Sequence, residues 1–96
     1  MNTEDKLTLI LDAVRREYAR EDIAYPAFHS QHEGAAVIKE EYDELWDAIK
    51  ASKSLNARGT TGIEAMQVAT TAVRFILDLC NIEEFSDTLA GFERTR

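Results

Sequence analysis

Leu7, Ile10, Leu11, Val14 and Tyr18 recur at three- and four-residue steps, which is one face of an amphipathic helix running from about Thr3 to Arg20. Tyr25 precedes Pro26 and is biased toward extended backbone, so residues Glu21 to His29 read as a connection. Ser30-Gln31-His32-Glu33 fits a capping box, in which hydroxyl and carboxylate each satisfy an orphaned backbone donor. It opens a second helix over roughly 31 to 52, with an apolar stripe of Ala35, Ile38, Tyr42, Leu45 and Ile49. The pattern fades into a loop through Gly59 and Gly62. From Ile63 to Cys80 almost every position is apolar or small, which predicts a third helix that is the most buried element. Phe85, Leu89 and Phe92 predict a short fourth helix, with Ser86 as a candidate cap. No apolar–polar alternation supports a strand, and the fold class is all-α.

The 96 residues are 45% apolar and 30% charged, which allows a single domain over 1–96 with a thin core. Such a core predicts a helical bundle completed by a second copy of the chain. Eighteen acidic against eleven basic side chains give a net charge of −7. That balance repels phosphate backbones and anionic lipid, so neither nucleic acid nor a membrane surface is expected as a partner. Cys80 has no second cysteine to pair with, the start Met1-Asn2-Thr3-Glu4-Asp5-Lys6 is polar, and no apolar run reaches about 18 residues. These features point to the cytoplasm. The charge changes the picture only if carboxylates converge, because converging carboxylates attract cations.

On a helical wheel with Ile38 at zero, Glu41 falls at about 300°, Glu44 at about 240°, Glu33 at about 220° and Glu40 at about 200°. The four share an arc of about 100° that begins at the margin of the apolar stripe, with no Lys interleaved on it. On helix three the few polar residues, Glu64, Gln67, Thr71, Arg74 and Asp78, also share one stripe. Facing each other, the two arcs bring Glu41, Glu44 and Glu64 together, with Gln67 adding a neutral oxygen. This is a donor set for a hard cation such as magnesium or manganese.

At these residues the chain resembles the MazG-like all-α nucleoside triphosphate pyrophosphohydrolases. Glu40-Glu41-Tyr42-Asp43-Glu44-Leu45 matches the family's Glu-Glu-x-x-Glu-Leu run, and Glu64-Ala65-Met66-Gln67 matches its Glu-x-x-Asp signature with Gln67 in place of Asp. The separation of Glu44 from Glu64 lies within the family's range. The resemblance implies a four-helix MazG-like bundle, a homodimer or dimer of dimers, and magnesium-dependent cleavage of a nucleoside triphosphate between the α and β phosphates. It makes Glu41, Glu44, Glu64 and Gln67 the metal ligands, with Glu40, Glu41 or Glu44 taking the proton of the attacking water. Lys53, Arg58 and Arg74 are candidate partners of the triphosphate, and Trp46 or Phe28 of the base.

Simpler roles stand beside these. Glu33 has a capping role, and Thr61-Gly62-Ile63-Glu64 also reads as a capping box. Arg74 and Asp78, four residues apart, can form a salt bridge at a dimer boundary. His29 and His32 lack the cysteines or further histidines of a zinc site. Gln67 motivates an alternative function, a catalytically degraded nucleotide- or partner-binding helical module. A purely structural helix pair is a third reading.

Overall fold

The computed structural model describes residues 1–52 and 58–96, Arg58 by its backbone alone. Four helices follow one another, α1 (Thr3–Ala24), α2 (Gln31–Ala51), α3 (Arg58–Leu79) and α4 (Ile82–Arg94), and no described residue is in a strand. The all-α expectation is met. None of these helices is long and apolar enough to cross a membrane.

Helix α1 starts at Asn2, whose side chain accepts the Asp5 N–H at 2.8 Å, and ends where Tyr25 turns extended before Pro26. It therefore runs one turn past the expected end, and Glu21 is helical instead of part of the connection. Ser30 caps α2 by accepting the Glu33 N–H at 3.1 Å, as expected. The Glu33 carboxylate reaches one residue further back than a capping box requires, accepting the His29 N–H at 3.1 Å.

Helix α3 begins at Arg58, so Gly59 and Gly62 lie inside it and not in a loop. Glycine costs about 1 kcal/mol in a helix but does not forbid one. Thr61 consequently sits within the first turn, and Glu64 is not at a helix start. Helix α4 is capped by Asn81, which accepts the Glu84 N–H at 2.9 Å, and not by Ser86, which is interior.

Helices α2 and α3 run antiparallel. The start of α2 meets the end of α3 at Gly34, where an added Cβ would lie 2.6 Å from Phe75 Cδ2 and 3.0 Å from Leu79 Cδ1. Only glycine permits that approach. With this contact as pivot, the face α2 packs inward is Gly34, Val37, Ile38, Glu41, Leu45 and Ala48, rotated roughly 70° from the predicted stripe. Tyr42, Trp46 and Ile49 are left exposed, and Glu41 stands near the middle of the packed face.

The second half of α1 packs on α3, whereas α4 makes no extensive contact with α1, α2 or α3 among the described residues. Val14 and Phe28 are the buried apolar side chains among the described residues; Glu17, Thr70, Thr71 and Arg74 are also buried. Thr70 and Thr71 are accommodated because each hydroxyl donates to the carbonyl one turn back, Met66 O and Gln67 O, at 2.9 Å. The apolar residues the sequence assigns to a core are largely outside: Leu7, Ile10 and Leu11 are 47–52% exposed, and Val73, Leu77, Phe85, Leu89 and Phe92 are exposed as well.

Candidate metal centre

Glu41 and Glu44 are one helical turn apart on α2, and the antiparallel seam carries Glu64 of α3 opposite them. One oxygen from each of Glu41, Glu44 and Glu64 lies within 4.8 Å of the others. Glu41 and Glu64 are half-buried and Glu44 is exposed, so the cluster is open to solvent on one side.

Three like charges this close in a partly dry place oppose one another. Glu41 responds most strongly, its carboxyl pushed from an ordinary 4.5 up to about 7 by burial first, then by the charges of Glu44, Glu21 and Glu64 and a hydrogen bond to Glu44. A divalent cation relieves the same repulsion, and the all-oxygen donor set suits a hard ion.

The sequence pattern missed the contribution of α1. Glu17 is buried and paired with Arg20, and Glu21 lies at 15% side-chain exposure with its Oε1 3.7 Å from Arg74 Nη1. Glu21 Oε2 is buried without a hydrogen-bond partner among the described residues. Burial pushes the Glu21 carboxyl upward, Glu17 adds to this, and Arg74 opposes it. A signal existed: the steps Leu7, Ile10, Leu11, Val14 continue onto Glu17 and Glu21, two acids on a buried face. Assigning Glu21 to the connection hid it.

Gln67 faces α1, sharing a cleft of about 400 Å³ with Glu17, Arg20, Glu21 and Tyr25. A neighbouring cleft is lined by Glu21, Phe28, Glu33, Glu40 and Arg74 among others, and Glu40 is not part of the converging trio. Arg74 is 6% exposed and committed internally. Its Nη2 donates to Pro26 O at 2.9 Å and lies 3.8 Å from Asp78 Oδ2, its guanidinium is 4.4 Å from the Phe28 ring centroid, and Asp78 Oδ2 accepts the Phe28 N–H at 3.1 Å. The Arg74–Asp78 pair expected at a dimer boundary lies instead inside the protomer, clamping the α1–α2 connection. Trp46 is on the outer side of α2, about 140° around the helix from Glu41, with Lys50 Nζ 5.9 Å from its ring. Lys53 and the side chain of Arg58 lie outside the described residues.

No protein-family model matches the chain, and no curated protein or solved structure is detectably similar to it.

Proposed function

We propose that the protein is a magnesium-dependent nucleotide pyrophosphohydrolase that acts as a homodimer or dimer of dimers. The observation that carries this reading is the convergence of Glu41, Glu44 and Glu64 from two helices within 4.8 Å, at the positions of the Glu-x-x-Glu and Glu-x-x-Gln runs. These three would hold the cation, with Gln67 at the α1 side. A magnesium ion held by these residues would supply charge neutralisation for triphosphate oxygens and a more acidic water. The water oxygen bonds to the α phosphorus as the bond to the bridging oxygen breaks, releasing a nucleoside monophosphate and pyrophosphate. Glu40, Glu41 or Glu44 is the group that would take the water's proton.

Self-association is supported by surface. The chain exposes 7401 Å² and has a radius of gyration of 15.4 Å, whereas a compact monomer of this mass exposes about 5,600 Å² and has a radius of about 12.5 Å. The excess, roughly 1,800 Å², is comparable in size to what one subunit of an obligate dimer buries.

The reading is tested by incubating the chain with a panel of nucleoside triphosphates and magnesium. Pyrophosphate release is expected, and Glu41→Gln or Glu44→Gln lowers it by about a thousandfold with the helical signal retained. A chain that binds magnesium and nucleotide yet releases no pyrophosphate from any of them is the degraded binding module instead.

A further inference from the structure

Helix α4 finds no seat in its own bundle. Ile82, Phe85, Leu89 and Phe92 share an arc of about 80° on it, and all four are exposed. The rest of α4 is exposed too, apart from half-buried Gly91. A helix of 13 residues without tertiary support is marginal in water, so an apolar stripe this regular is matched by a surface elsewhere.

The first half of α1 is the complementary case. Val14 and Glu17 are buried, but Thr3 to Asp12 are all exposed. Leu7, Ile10 and Leu11 lie within about 60° of Val14 around the helix, so the face that is buried at Val14 runs on uncovered toward the start of α1. Leu7 to Val14 and Phe85 to Phe92 are equal steps along the chain, about 10 Å of helix each.

Charges at the ends of the two stripes fix a direction. Glu83 and Glu84 open α4, and Arg94 and Arg96 follow Phe92; Glu4 and Asp5 open α1, and Arg15 and Arg16 follow Val14. None of these eight has an ion-pair partner among the described residues. Laid antiparallel, with Phe85 level with Val14 and Phe92 level with Leu7, acids meet arginines at both ends. Laid parallel, acid meets acid and arginine meets arginine.

We propose that α4 of one subunit packs antiparallel on the first half of α1 of a second copy of this chain. A two-fold axis repeats the contact, each subunit giving one α4 and receiving another, so both stripes are covered and the assembly closes. The roughly 1,800 Å² by which the chain exceeds a compact monomer is the scale such a doubled contact requires. The inference rests on the self-association part of the reading above and is independent of the hydrolase part.

Sedimentation of the full chain over a concentration series tests it. The unaltered chain is expected to run as a dimer. Arg15→Glu with Arg16→Glu, and separately Glu83→Lys with Glu84→Lys, each weaken association by about 10- to 100-fold, because like charges then meet. Mixing the two variants in equal amounts restores the wild-type association, since every α1–α4 contact of the mixed dimer again opposes unlike charges. An α1–α1 interface is indifferent to the α4 charges and an α4–α4 interface to those of α1, so neither gives this pattern. Leu7→Asp, an uncharged point of the same contact, weakens association as well. Association unaltered in any of these variants, or losses that mixing does not recover in chains of intact helical signal, overturns the pairing and leaves self-association standing. A wild-type chain that stays single at every concentration overturns both.

Discussion

The inner side of the bundle carries buried polar groups among its apolar ones, whereas the outer faces of α1, α3 and α4 leave large apolar side chains exposed. Along the seam lie Glu41, Glu64, Thr71, Arg74 and Asp78, all half-buried or buried. Outside lie Leu7, Ile10, Leu11, Val73, Leu77, Phe85 and Leu89, all exposed. In an ordinary small domain the two sets exchange places. The polar groups inside are held at fixed positions, and the exposed apolar side chains are the surface that the proposed self-association would cover.

Each half of this comparison can be broken separately. The severest blow to the seam is Arg74→Ala, which removes the Pro26 carbonyl's donor and strands Glu21 and Asp78 as uncompensated partly buried charges. A loss of about 3–5 kcal/mol is expected in chemical denaturation. Intact stability in that variant would show that the clamp contributes little. The exterior is tested by placing Glu at Phe85 and Leu89 together. Sedimentation should then show a shift toward the single chain, with association weakened by about 2 kcal/mol and the α1–α3 helical signal preserved.

The mildest probe is pH. Glu41 is held at about 7 in the folded chain against an ordinary 4.5, so folding favours its protonated form. That contribution is complete below about 4.5 and is lost as pH rises through about 7. Glu21 is shifted in the same direction. In the absence of divalent cation, Tm should fall by a few degrees between about pH 5 and 8. Glu41→Gln flattens the slope, and added magnesium opposes the fall by binding the folded state. A Tm that rises across the interval, or that magnesium leaves unmoved, contradicts the assignment of the cluster.

Much of the fold was legible in the chain. The stripe Leu7 to Tyr18 located α1, Pro26 located its end within a turn, and Ser30 marked the start of α2. The starts of α3 and α4 were misplaced because Gly59 and Gly62 suggest a loop and Ser86 a cap. Neither suggestion is binding when neighbouring residues continue the helix and Asn81 caps better. The trio Glu41, Glu44 and Glu64 was legible from spacing, since helical periodicity alone puts Glu41 and Glu44 on one margin. The burial of Glu21 was not legible, because it depends on one extra turn of α1 and on which face α3 turns toward it.

Local periodicity is a property of the chain, so sequence determined the four helices, the all-α class and the acidic arc on α2. Rotation of one helix about its axis is not. The stripe Ala35–Ile49 specified an inward face, but the close approach at Gly34 turned α2 by roughly 70°, placing Glu41 inside and Tyr42 and Trp46 outside. That choice is made by interhelical contact between Gly34 and Phe75, residues far apart in the chain. Only the tertiary structure could decide which acids this protein draws inside and which large apolar side chains it leaves out.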